Sequence, residues 1–474
     1  MSYPGMFYPQ SPDELTTQAL RDAKLLRLCQ TPHSSAALAL IDDLAGRIEG
    51  HEARSGARQN ARREAGRRRL HGAVGAIIGA MLEAWAKAEA PQAVYRSYAK
   101  EGFTGAPVGS RPFTATMDAL VSLGLIHRVS GKRFAQEGWE VGEMVSKGWA
   151  ARFWPTAELV HLAVKHGVVP ETVRDDFRFV PPSAPPKVTK PVELRPFEPW
   201  GWGRDRPLPR TAASEDDPQF PQLVTDVDKQ NAFAATFIVE GCTPPRWRRV
   251  FHGTWDLHGR WYAAGSDGAY QTLKPHQRAD LTIQGEPVVE LDVKASHLTA
   301  LRGLSGLGET AGDPYYVEGL PRDVAKRWVL ETLGKGRSVE RWAAGAPETV
   351  KAHDPKAVKT ALLALHPCLA DPASVVPVEL PARLDAAPAD LLWHYLAAKE
   401  AEAMTEAVRA LRQLGILGLP VHDSLIVPAR AHGEALEAMV EAFRDVCGIA
   451  PQVESKKPLR GTENPLEVSA GSQP

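Results

Sequence analysis

Two aspartates stand out for the chemistry they could perform together. The run Pro287-Val288-Val289-Glu290-Leu291-Asp292 is apolar and β-branched and ends in a carboxylate. That is the pattern of a buried strand delivering Asp292 at its end. Farther along, Leu417 to Pro428 sets short apolar runs on either side of His422-Asp423-Ser424. This reads as a hairpin with Asp423 at its turn. If the two strands meet, the two carboxylates meet. Facing aspartates can hold two Mg²⁺ ions roughly 3.5–4 Å apart, which clamp the attacking and leaving oxygens of a phosphoryl displacement. Mg²⁺ suits such a site because it takes few carboxylate oxygens and keeps places for phosphate and water; Mn²⁺ is an alternative. Taken alone, Asp292 is more simply read as a helix cap, so the metal reading rests on both strands together.

Cations with the right spacing lie between the two. Arg322 and Lys326 are i, i+4 in Arg322-Asp323-Val324-Ala325-Lys326, on one face of an expected helix, so both can reach one triphosphate. A solvated basic face is the plainer reading of that segment by itself. Arg248 and Arg249, beside Trp247, and Arg260 and Arg278 precede the first aspartate and are candidates for phosphate contacts.

In this order the segments resemble those of family A DNA polymerases and phage-type single-subunit RNA polymerases. Asp292 and its strand resemble the first catalytic motif, and Val421-His422-Asp423-Ser424 is similar to the third. The helix with Arg322 and Lys326 resembles the middle one. The resemblance covers about residues 246 to 452. It implies Asp292 and Asp423 as catalytic metal ligands, helped by the Val293 carbonyl, with Mg²⁺ as cofactor. It also implies Arg322, Lys326 and His297 around the nucleotide, and Arg248, Arg249, Arg260, Arg278 and His422 at primer and template. Leu365-His366-Pro367 and the helix Leu392 to Leu414 are smaller echoes. The sequence departs where the sugar pocket is shaped: His297 stands where the DNA enzymes carry Glu, and Gly334 stands nearest the place of a Tyr. Deoxyribose against ribose is therefore open.

These residues need elements to hold them. Residues 12 to 50 read as helix. An arginine-rich stretch, Ala53 to Leu70, holds Arg54, Arg58, Arg62, Arg63, Arg67, Arg68 and Arg69 against Glu64 alone among acids. An Ala-rich helix follows, from Leu70 to Ala90. Thr114 to Leu123 is amphipathic and stopped by Gly124. Leu125 to Val129 reads as a strand, Ser130-Gly131-Lys132 as a turn and Arg133-Phe134 as its return. Helix, stop and basic hairpin resemble a winged helix-turn-helix, with Arg128, Lys132 and Arg133 on the wing and Arg62, Arg63, Arg67, Arg68 and Arg69 nearby for DNA. Prolines recur through 181–218, which reads as a structureless interdomain linker. The expected organisation is a helical arm (1–70), a winged-helix-like domain (71–180), the linker (181–218), a palm and fingers (219–455) and a disordered tail (456–474).

The whole is expected to be α+β: a helical N-terminal region with a winged helix, then an antiparallel palm sheet with helical fingers. Hydrophobic residues make up 43% and charged residues 24% of 474, as in a soluble globular chain. No apolar run is long enough for a bilayer, no leader opens the sequence, and Cys29, Cys242, Cys368 and Cys447 lack zinc spacing, so a reduced cytoplasmic protein is expected. A net charge of −1 weighs against nucleic-acid binding, but local arginine clusters outweigh the sum. The expected function is template-directed nucleotidyl transfer, by a small DNA polymerase or a primase-like relative, perhaps from a phage or mobile element. Its partners are a DNA or RNA template, a primer and nucleoside triphosphates. The alternatives are a non-catalytic replication initiator that keeps the fold, and a metal-dependent nuclease.

Overall fold

The computed structural model describes residues 20, 23–86, 93–103, 105–131, 133–137, 144–148, 150–197, 211–265, 267–343 and 345–456. It is a mixed α+β chain with several antiparallel sheets. Lys132, Trp200, Trp202 and the segments 1–19 and 457–474 lie outside the described residues. Among the described residues no helix is long and apolar enough to cross a membrane.

The N-terminal half packs helices on a four-stranded sheet. The continuous helix expected over 12–50 is instead two short strands, Lys24–Leu25 and Gln30–Pro32, and then the helix Ser35–Ser55. The physical signs are local. Leu26 and Leu28 are both buried, a period of two rather than 3.6. Pro32 interrupts any helix. Ser34 then caps the true start, its hydroxyl accepting from the Ala37 N–H at 3.0 Å. A second helix, Glu64–Ala86, lies across the Gln30–Pro32 strand. Gly79 permits this close approach, since a Cβ there would sit 2.5 Å from the Phe177 ring.

The basic hairpin differs from expectation. The helix Ser110–Ser122 leads into the strand Ile126–Val129, as the Gly124 stop implies. Its partner, however, is Ala151–Pro155, and Arg133–Glu137 pairs with Met144–Gly148. Val129 faces Arg152 and Arg133 faces Gly148, so one register runs through both pairs. Ser130-Gly131 is therefore not the turn of a hairpin between Ile126–Val129 and Arg133–Glu137, since each of these pairs with a later strand.

The proline-rich segment is not structureless. Val192–Arg195 adds a parallel strand beside Trp247–His252, which pairs in turn with Thr254–Ala263. Phe197 is fully buried in the C-terminal core. Pro191 and Pro196 bracket a Val-Glu-Leu-Arg alternation that is itself a strand signal.

In the C-terminal half a six-stranded sheet is built on Glu286–Val293. The strand Ser424–Pro428 lies antiparallel on one side of it. Thr282–Ile283 and Val453–Lys456 share the other. Leu419–Val421 closes the hairpin. Three helices cover it: Ser296–Leu304, Pro388–Gln413 and His432–Cys447, with Arg322–Lys335 packed beyond them. Leu291, Leu396, Met404, Leu425, Met439 and Phe443 fill the layer between.

Candidate active site

Asp292 and Asp423 come together through strand pairing. Asp292 stands opposite Ser424 in the ladder, one residue beyond Asp423, and the Val293 N–H donates to the Asp423 carbonyl at 3.1 Å. The turn is tight: Val421 faces Ser424, so His422 and Asp423 form a two-residue loop. His422 takes the left-handed conformation, with φ of 55°, that such hairpins demand. Ala295 does likewise, with φ of 50°, where the strand of Asp292 turns into the helix Ser296–Leu304. A non-glycine residue held there costs about 1 kcal/mol or more, and both strained positions border the carboxylates.

The aspartates share a cavity of about 560 Å³ with Arg260, Ser296, His297, Asp313, Tyr315, Arg322, Lys326, Trp393, Glu400, His422 and Glu454. Its deepest acid is Glu400, from the middle of the long helix and 1% exposed. Arg260 reaches it at 2.6 Å, the His297 Nε2 lies 3.3 Å away, and the Ser296 hydroxyl donates at 2.6 Å. Burial opposes its charge, yet His297, Arg260 and Ser296 hold the carboxyl down at about 2. Asp423 is the opposite case. Burial, with the nearby charges of Glu400 and Asp292, pushes it up to about 6. The Ser296 hydroxyl also lies 3.2 Å from Asp423, so one serine bridges two acids. Asp292 accepts from Ser424 and from the Lys456 ammonium at 2.9 Å, which also binds Glu290 at 3.1 Å.

Asp423 is thus crowded by negative charge, and a divalent cation beside it would relieve that crowding. Among the described residues no group of three His, Cys, Asp or Glu side chains forms a metal cage. Two carboxylates that leave room for phosphate and water suit Mg²⁺ nonetheless. Lys456 places a positive charge on the same Asp292 oxygen that a metal would want.

The remaining expected residues fall into two groups. Arg322 and Lys326 line the cavity from the helix Arg322–Lys335 and are exposed. Arg322 is paired with Asp313 and lies 5.2 Å over the Tyr315 ring. His297 is buried against Trp393, with its Nε2 3.0 Å from the Arg260 guanidinium and its Nδ1 without a partner. His422 sits 6.1 Å from the Tyr262 ring at the cavity edge. Three arginines expected at primer and template are engaged elsewhere. Arg278 is held by Glu290 at 2.9 and 3.1 Å. Arg248 pairs with Glu193 at 3.1 Å. Arg249 is buried, on the far side of the long helix from the aspartates. Strand alternation explains the split, since Arg248 and Arg249 must point to opposite faces.

In sequence Glu400 counts only among the residues by which the helix Leu392 to Leu414 resembles its counterpart, with no role of its own, and Ser296 and Lys456 carry none. Glu400 had a readable signal: it lies among Leu396, Ala397, Ala401, Ala403 and Met404, an apolar run in which an acid needs a partner. Ser296 had only its place four residues after Asp292.

No protein-family model matches the sequence, and no curated protein matches it. Among solved structures the chain is similar to the POL domain of Pol1 from M. smegmatis in complex with DNA primer-template and dNTP. Identity is 14% and the TM-score 0.32, over 52% of this chain and 57% of that one. At that score the likeness is too slight to fix the fold.

Proposed function

We propose that the C-terminal half is a polymerase-type palm with helical fingers that joins nucleotides on a nucleic-acid template. One observation carries the reading. Neighbouring antiparallel strands deliver two aspartates, 131 residues apart, into a cavity whose opposite wall offers Arg322 and Lys326. Paired acids facing paired cations suit a triphosphate being opened at its α-phosphorus.

Each residue then has a task. Asp292 and Asp423, with the Val293 carbonyl, would hold Mg²⁺, which when bound supplies charge neutralisation at the reacting phosphate. Arg322 and Lys326 bind the triphosphate tail and offset charge as pyrophosphate departs. Arg322 must first exchange Asp313 for phosphate, an exposed pair that costs little to break. Arg260 and His422 face the primer end. His297, oriented by Arg260 and Trp393, lines the cavity with its Nδ1 buried and unpaired among the described residues, and nearest Gly334 on its helix it is Leu330 and Leu333 that line it. Discrimination against ribose then falls to Leu333 rather than to an aromatic ring at Gly334 and is accordingly weak. In the N-terminal half, the helix Ser110–Ser122 and the strand pairs beyond it act as a winged-helix-like grip on duplex.

The test is primer extension in Mg²⁺ and Mn²⁺ with dNTPs and NTPs. Asp423→Asn removes a metal ligand and no phosphate contact. It is expected to lower incorporation by at least about a thousandfold while duplex affinity stays within a factor of about two. Full incorporation by the purified variant would place the catalytic centre elsewhere. Nucleic-acid binding by a wild-type chain that incorporates nothing would favour a replication initiator instead.

A further inference from the structure

The long helix Pro388–Gln413 lines two cavities with opposite faces. Trp393 and Glu400, seven residues apart, line the one described above. Tyr395, Glu402 and Arg409 repeat at the same interval and line a second, of about 390 Å³, behind the helix. Its other wall is the hairpin of Trp247–His252 and Thr254–Ala263, with Arg249 on it.

Arg249 is 7% exposed and, among the described residues, makes no ion pair, although Asp226, Glu402 and Glu406 attract its charge from farther away. Its Nε donates to the Gly259 carbonyl at 2.8 Å, and its guanidinium carbon lies 4.9 Å from the Phe251 ring centroid and 5.5 Å from that of Trp261. Among the described residues neither terminal nitrogen has a hydrogen-bond partner. Gly259 makes this possible, because a Cβ there would come within 3.2 Å of Nη2. A guanidinium packed against two aromatic rings and open at its forked end is built for a two-oxygen anion. Burial weakens its hold on its proton, to about 10, and an anion would restore it.

The surrounding charges limit what that anion is. Arg383 pairs with Asp256 at 2.8 Å and Lys399 with Glu402 at 2.9 Å. Arg409 serves both Glu406 and Asp226. Glu379 is exposed at the rim. With Arg249 counted, the lining carries four cations against five carboxylates, so the fork of Arg249 is the contact that favours an anion, and a polyphosphate is repelled. Phe251, Trp255 and Tyr395 supply apolar wall for a flat body.

We infer that this cavity is a second ligand site, which takes a small molecule bearing one carboxylate on a flat apolar body through the fork of Arg249. The site stands independently of the proposed nucleotide chemistry.

Calorimetric titration of the full chain tests it, with indole-3-acetate, its neutral amide and phenyl phosphate. Indole-3-acetate is expected to bind saturably at one site, and the amide at least about tenfold more weakly, as loss of a charge-assisted pair implies. Phenyl phosphate is expected to bind more weakly than the carboxylate. Arg249→Met, an apolar replacement of similar length, is expected to remove the preference for the acid. Tyr395→Leu leaves the guanidinium in place, so it should weaken acid and amide alike and keep their ratio, which serves if the first variant does not fold. Equal binding of acid and amide, no saturable binding, tighter binding of phenyl phosphate, or an unchanged preference in Arg249→Met would each overturn the assignment.

Discussion

Glu400 ties the chemistry of the cavity to the stability of the fold. It is almost wholly out of water and is bound by Arg260, His297 and Ser296. Removing the charge leaves the part-buried Arg260 guanidinium without its partner; a fully buried pair broken this way costs about 3–5 kcal/mol, and the access of Arg260 to the cavity lowers that to about 2–3 kcal/mol. Glu400→Gln is therefore expected to lose that much in urea unfolding at pH 7. The sign of the pH dependence follows from the depressed carboxyl. In the unfolded chain a glutamate titrates near an ordinary value of about 4.3. In the folded chain it titrates at about 2. Its contribution is fully present above the unfolded value and fades as pH falls through the folded one. The gap between wild type and Glu400→Gln should hold from pH 7 to about 5 and narrow progressively below that. A gap that widens on acidification would mean Glu400 is not the charged member of the cluster. Asp292 and Asp423 were legible because each adjoins a short apolar run that reads as a strand from its own residues. Glu400 was harder to read because a helix spreads its contacts over three neighbours, and its partners Arg260 and His297 come from distant segments.

Among elements, the arginine-rich junction of the two N-terminal helices is read differently in sequence and in structure. Counted along the chain, seven arginines face one acid. In the fold, Glu52 and Glu49 of the preceding helix turn toward them. Arg62 holds Glu52 in a bidentate pair, with side chains 9% and 11% exposed, and Arg58 joins it. Arg67 lies 3.6 Å from Glu49 and Arg68 2.9 Å from Glu64. Among the described residues Arg54, Arg63 and Arg69 keep no carboxylate partner. On the wing, Arg128 is engaged by Asp118 and Tyr98. The exposed pairs are weak and can be exchanged for phosphate, but the Arg62 pair is not. Duplex binding through this surface should depend on salt with a slope of about −0.9 per phosphate contact. Arg63→Ala with Arg69→Ala is expected to make the slope shallower by about two units. Arg62→Ala should lower thermal stability and leave the slope unchanged. Equal slopes for the double variant and the wild type in fluorescence anisotropy would show that nucleic acid does not touch this surface. Helix caps, stops and strand alternation were legible here because they are local. The pairing of Glu49 and Glu52 with arginines up to eighteen residues away was not, because it depends on how two helices cross.

At the scale of the whole molecule, the two halves are joined by more than their connecting chain. Arg96, on the Val94–Arg96 strand, holds Asp267 through both carboxylate oxygens at 2.6 and 2.7 Å, with the two residues 2% and 0% exposed. The Leu28 N–H also donates to Asp267 at 3.2 Å. Around this centre Lys274 meets Glu83 at 3.1 Å and Arg27 meets Gln277 at 3.2 Å. The prolines at 181 and 182 press on Gly268, where a Cβ would find Pro182 at 2.9 Å. A linker that only tethered would leave the halves free to reorient; a buried, forked ion pair does not. The halves should therefore unfold as one unit despite their separate hydrophobic cores. Asp267→Asn keeps the shape and removes the charge, which leaves Arg96 buried and uncompensated at a cost of about 3–5 kcal/mol. That cost falls on the joint rather than on either core, so the expected result is a split. In wild type, circular dichroism and tryptophan fluorescence should trace one coincident urea transition. In Asp267→Asn they should separate, with an early phase as the halves part and a later one near the wild-type midpoint. Coincident curves in the variant, shifted by less than about 1 kcal/mol, would mean that packing around Gly268 and the prolines holds the halves together without the ion pair.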